Sequence, residues 1–352
     1  MRASSALVLL LPLAAACSVS DDPLTPVGTD ASSDAAVDAP PDTSSDAVVD
    51  VSDAGPSKVF CTSETPVAVA QGSGFIASTT HYAVYDEVSA ADAVENARLL
   101  EASSGAFAAW FVRPWPLANP ERASVRIFKD EPAWKAALTA DGITPPAGSA
   151  GYYSPATKTA YLYQQGNPYY SHVLAVHEAT HQYHWLSRIK GGSLPFWYME
   201  GIAEHLSRHD WDGSCVRLGV TSLLSWEDLP SKVSSSVDVT GIVNGTVTPS
   251  RADAFALVRY LDTGPYAASF TAFRDAFDAT GTASFSGLVT DPSTLAAPLS
   301  TWLPSVQEPM KPVFTEWVHV SSTRVLVDTP SVFSIAVLKT APTHFEAKLE
   351  VP

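Results

Sequence analysis

The stretch H-E-A-T-H-Q-Y-H-W, residues 177–185, puts three histidines and a glutamate within eight positions. Apolar spacing over 169–188 predicts a helix. Residues four apart on a helix stand one above the other on one face, so His177 and His181 can direct two imidazoles at one metal ion. Glu178 lies beside the first of them, placed to act on a water at the metal rather than on the metal itself. H-E-x-x-H suits zinc hydrolysis for that geometric reason. His184 follows three residues after His181 and either lines a cleft or packs as a structural residue.

A catalytic zinc takes three protein ligands and leaves one position open, and two histidines with a glutamate are one such set. The segment P-F-W-Y-M-E-G-I-A-E-H-L, residues 195–206, supplies the missing acid. Glu200 is the candidate third ligand. Glu204 comes one helical turn later on the same face, placed to accept the other ring N–H of a zinc-bound histidine and so fix its tautomer. Pro195, Phe196, Trp197, Ile202 and Leu206 make the surroundings apolar, which argues against a glutamate pair facing water. His205 and His209 read as surface residues.

The chain opens M-R-A-S-S-A-L-V-L-L-L-P-L-A-A-A-C. A single positive residue, a short apolar run and a small-residue segment describe residues 1–17 as an export signal. Cys17 at its end reads as a lipidation site, giving a protein anchored in the cell envelope by an N-terminal lipid. Ala14-Ala15-Ala16 also fits ordinary cleavage, which would release a soluble secreted protein. Residues 18–58 are rich in Asp, Ala, Ser, Pro, Thr and Val, with aspartate at every fourth position from Asp30 to Asp50. Such a segment has little to bury and reads as a charged tether. It holds nine Asp and one Lys, a net −8; Arg2 adds one positive charge, and the whole chain is −16, which leaves −9 for residues 59–352. That acidic surface argues against nucleic acid as a partner. Cys61 and Cys215 remain once Cys17 is assigned; in an oxidising compartment they form a disulfide or stay as buried thiols.

Residues 59–310 read as one large domain. Alternation predicts strands at H-Y-A-V-Y-D (81–86), S-V-R-I-F-K (124–129), 151–155 and 159–164. Helices are predicted at Ala90–Phe111, Glu131–Ala140, 169–188, about 198–208, 252–262 and 266–279. Strands first and helices later point to an α+β fold rather than regular βαβ alternation. Residues 59–80 show no clear pattern and are a candidate pro-segment. Residues 311–352 contain four short β-branched runs and read as a small C-terminal β module.

With its motifs set out, the chain resembles the gluzincin metallopeptidases, the superfamily of thermolysin and the M1 aminopeptidases. The resemblance rests on H-E-x-x-H, eighteen intervening residues, and E-G-x-A-E. The upstream order H-Y-x-V-Y, helix, V-R-I-F, A-G-Y-Y-S-P, Y-L-Y, H-E-A-T-H-Q is similar to the bacterial peptidase MA-like group. It covers roughly residues 80–300. The resemblance implies a gluzincin-like domain in which His177, His181 and Glu200 bind Zn2+ and Glu178 is the general base. It implies a peptide or protein substrate bound on an edge strand; Tyr152 and Tyr153 either belong to that edge or are ordinary buried-face tyrosines. The G-x-M-E-N run that holds a free amino terminus in the M1 enzymes is missing, which favours an endopeptidase. Aligning A-F-A-L-V-R-Y-L (254–261) with the corresponding helix puts Arg251 where those enzymes carry the oxyanion-stabilising tyrosine; Tyr260 and Tyr266 are alternatives. The competing expectation is a zinc-containing surface lipoprotein that binds without turnover.

Overall fold

A computed structural model describes Cys17–Ser18 and residues 58–299, except 145–147, 167, 190–193, 221–236, 282–284, 296, 298. The export signal, the tether and the C-terminal module otherwise lie outside the described residues.

The main sheet has seven strands in the order β1-β7-β8-β6-β5-β4-β3. They are β1 (Cys17–Ser18), β3 (Val69–Gln71), β4 (Gly74–Ser78), β5 (Tyr82–Asp86), β6 (Ala123–Phe128), β7 (Ser149–Ser154) and β8 (Thr159–Tyr163). The three central strands β5, β6 and β8 run parallel, and the others are antiparallel to their neighbours. The fold is therefore α+β with a mixed sheet. The parallel centre departs from the expected strands-then-helices order, because α1 (Ala90–Phe111) is a crossover between β5 and β6. Parallel neighbours need such a connection, since a tight turn can only reverse the chain.

The crossovers also explain the burial. Val84, Val125, Ile127, Ala160 and Leu162 are fully or almost fully buried. One face packs against α1 and α3 (Pro168–Ser187). The other packs against α2 (Glu131–Ala140), where Trp134 and Leu138 meet Phe128, Tyr152 and Tyr161. Helix starts are set by local chemistry. Ser89 and Asp130 accept the backbone N–H groups of Asp92 and Ala133, which satisfies donors that a helix cannot pair internally.

Residues 59–80, read from sequence as a candidate pro-segment, hold strand residues of both sheets. Strands β3 and β4 form a hairpin through Gly72 and extend the main sheet. Strand β2 (Phe60–Cys61) joins a small sheet of order β2-β10-β9 with β9 (His209–Trp211) and β10 (Cys215–Leu218). Cys61 and Cys215 face each other across β2 and β10 and are joined by a disulfide, closing a separation of 154 residues. A cross-link of this reach stabilises by roughly 2–4 kcal/mol, mainly by restricting the unfolded chain.

Behind α3 lies a second helical layer: α4 (Phe196–Ser207), α5 (Val239–Val243), α6 (Arg251–Thr263) and α7 (Ala267–Thr280). Helix α4 packs most closely on α6. The contact is built at Gly201, where an added Cβ would lie 2.5 Å from the Ala254 carbonyl oxygen and 2.6 Å from a Val258 methyl. In an open helix interior, Gly→Ala gains roughly 0.5–1 kcal/mol. Here the sign reverses: Gly201→Ala is expected to destabilise by about 1–3 kcal/mol, because rigid backbone must give way. Urea denaturation of the two proteins measures this, and a stabilised variant would show that the helices do not meet there.

Candidate metal centre

Helix α3 is buried on nearly every face from Ser171 to His184. It is fixed by long-range bonds rather than by amphipathicity. The Gln182 side-chain amide donates to the carbonyls of Ser124 and Lys158, at the ends of the central strands. The Tyr183 hydroxyl donates to the Arg113 carbonyl after α1. These contacts hold the helix in both rotation and height against the sheet.

His177 and His181 therefore present their rings to one point. Their Nε2 atoms are 3.1 Å apart, with the rings nearly perpendicular. Glu200 reaches the same point from α4, with Oε2 3.4 Å from His177 Nε2 and Oε1 3.5 Å from His181 Nε2. Zinc–ligand bonds of about 2.0–2.1 Å at tetrahedral angles set neighbouring ligand atoms about 3.3–3.4 Å apart. The donor triangle is close to that size, with each histidine nearest a different Glu200 oxygen, and all three residues are buried. The chemistry of the donors fits as well: two imidazole nitrogens converge on each other beside a carboxylate, an arrangement that a cation satisfies.

Glu178 is fully buried, and neither carboxylate oxygen has a hydrogen-bond partner among the described residues. A buried carboxylate without a partner is expensive, so its place beside the triangle suits a site that takes a further polar group. Room for it is made by Gly151 on β7, where a Cβ would lie 2.5 Å from Glu178 Oε1. Sequence reasoning missed Gly151; the signal available was a glycine inside a strand pattern, which marks close approach.

Glu204 Oε1 lies 3.7 Å from His177 Nδ1, on the ring edge away from the triangle. Arg208 donates to Glu204 Oε2 at 3.0 Å. Arg251, the first residue of α6, donates to Glu204 Oε1 and to Glu200 Oε2, each at 2.9 Å. Burial alone would raise the pKa of both glutamates. The His181 charge and the hydrogen bonds of both histidines outweigh it at Glu200, whose carboxyl is held well below the usual range. At Glu204 the charges of Arg208, His177 and Arg251 outweigh burial and lower it.

His184, His205 and His209 pack as structural residues. His184 Nε2 pairs with Asp278 of α7 at 2.9 Å, and the Tyr198 hydroxyl approaches the same oxygen from α4. This pair fastens the helix one turn beyond His181. His205 and His209, expected at the surface, are buried. His205 Nε2 meets Asp262 of α6 at 2.9 Å, alongside the Trp110 indole of α1. His209 Nδ1 bonds the Ser207 carbonyl and its ring stacks on Tyr169, with burial pushing its pKa down to about 4. The surface expectation failed because their partners come from distant segments. Tyr260 is core, packed edge-on to Tyr266. Tyr152 and Tyr153 are buried on β7, which pairs with β8 on one side and the two-residue β1 on the other.

No family model, curated protein or solved structure matches this chain.

The site's chemistry therefore rests on its own geometry. Gly151→Ala should destabilise the protein by about 1–3 kcal/mol through the collision with Glu178. In a Glu178→Ala background the colliding atoms are gone, and most of that cost should vanish. Denaturation of the four proteins gives the coupling; purely additive effects would show that Gly151 is not there to accommodate Glu178.

Proposed function

We propose that the chain is a zinc-dependent peptidase of gluzincin type, exported and held at the cell envelope by a lipid on Cys17. The observation that carries this reading is the unpartnered Glu178 carboxylate beside the His177–His181–Glu200 triangle. Three ligands with an adjacent free carboxylate are what metal-assisted hydrolysis requires. The acidic chain supports a peptide or protein substrate over nucleic acid.

Bound zinc supplies a Lewis acid and brings the pKa of water toward neutrality. The chain's own residues do the rest. His177, His181 and Glu200 hold the ion on two helices locked against each other. Glu204, with Oε1 3.7 Å from His177 Nδ1, favours the tautomer protonated on that nitrogen and leaves Nε2 as the ring's lone-pair donor toward the triangle. A Glu178 carboxylate oxygen takes the proton of the attacking water and then hands it to the leaving amine. Burial of the site keeps competing water away and strengthens each electrostatic contact.

One observation favours a second reading. Arg251, the residue the sequence offered for the oxyanion, is turned to two glutamates. The zinc centre then serves a surface lipoprotein that binds without turnover.

Elemental analysis and casein hydrolysis on the full chain separate the two. Near-stoichiometric zinc and cleavage abolished by a chelator are expected for the peptidase. Glu178→Gln should retain zinc and lose turnover by at least about a hundredfold, in keeping with removal of a general base. Full activity in that variant would sink the assigned mechanism, and zinc without cleavage of any peptide would favour the binding protein. A chain without zinc would end both readings.

A further inference from the structure

The Arg251 guanidinium spans two carboxylates one helical turn apart on α4, with Nη2 at Glu200 Oε2 and Nη1 at Glu204 Oε1. Its backbone is fixed as firmly as its head. Ser250 caps α6 by accepting the Asp253 N–H, and the helix is pressed onto α4 where Gly201 meets Ala254, three residues after Arg251. Gly201 itself lies between the two glutamates. The close helix contact and the reach of the guanidinium are thus one geometric fact.

Resting on the zinc-centre reading, we propose that Arg251 is a positioning residue of the metal centre. It holds Glu200 by Oε2, keeps Oε1 turned toward His181, and ties that ligand to Glu204 behind His177. A planar fork can hold two acceptors at once in a fixed relation, whereas a lysine ammonium is a single point charge on a flexible stem. Arg208 occupies the other Glu204 oxygen. Glu204 is therefore clamped from both sides while it faces His177 Nδ1. The first ligand on α3 and the third on α4 are linked through one rigid charged unit. A substrate oxyanion would have to break two charge-assisted bonds in a buried site to recruit the same guanidinium, which is why the oxyanion role is not assigned to it.

The test uses the full chain as wild type, Arg251→Met and Arg251→Lys. Zinc transfer to a chromophoric chelator is measured, with the visible d–d spectrum of the cobalt-substituted proteins and melting of the metal-free proteins as a check of folding. Arg251→Met should bind zinc about 10–100-fold more weakly, as losses behind a ligand do. Its cobalt spectrum should change, and Arg251→Lys should recover part of the affinity but not the wild-type spectrum. Wild-type zinc affinity and cobalt spectrum in Arg251→Met would overturn the proposal, as would lost turnover with both unchanged, the mark of an oxyanion donor. If Arg251→Met does not fold, Arg251→Lys decides alone: a wild-type spectrum and affinity there overturn the clamp. A wild-type chain that binds no zinc would instead overturn the metal-centre reading itself.

Discussion

Glu200 and Glu204 are buried in the interior of this protein, and that constraint shapes everything around them. An ionised carboxylate taken out of water costs several kcal/mol unless cations and donors meet it there. Arg208 and Arg251 answer the two charges one for one. Arg208 comes from the next turn of the same helix and needs only local spacing. Arg251 comes from a different helix, and it reaches only because Gly201 removes the side chain that would hold the helices apart. The candidate metal centre, the helix packing and the charge balance are consequently a single construction.

The same economy runs through the histidines. Two of the buried imidazoles outside the triangle are met by a carboxylate from a distant helix. His184–Asp278 fastens α3 to α7, and His205–Asp262 fastens α4 to α6. Burial pushes the pKa of both histidines down, so the neutral ring is favoured and the carboxylate accepts from it. His184 sits one turn beyond His181, and His205 directly follows Glu204, so these pairs restrain the helices that carry the triangle without entering it.

The sheet's contribution is a close approach. Strand β7 passes Glu178 at a residue without a side chain, and the Glu178 carboxylate occupies the volume a Cβ would fill. Glutamine and tyrosine on α3 bond to the ends of the parallel strands and the loop after α1, which sets the height of the ligand helix. The parallel centre of the sheet matters here, because its strand ends lie together under that helix.

Much of this was legible in the residue order. Periodicity placed α1 and α2 at their observed bounds and the ligand helices within two residues, because these segments carry strong caps or long apolar patterns. H-E-x-x-H and E-G-x-A-E carry their geometry within one helical turn, so the group that the structure brings together, His177, His181 and Glu200, could be picked out by spacing. What tertiary structure decided was every relation between segments far apart in the chain. The surface reading of His205 and His209 failed for want of Asp262 and Tyr169. The hairpin β3–β4 went unread because its strands are short and partly exposed. Arg251 was placed at the site by its position before a helix, but whether it faced an oxyanion or two glutamates depended on how closely that helix could approach. Local spacing is set by backbone geometry and is written in sequence; the distance between packed helices is set by the volume of one residue, here Gly201, and appears only when the chain is folded.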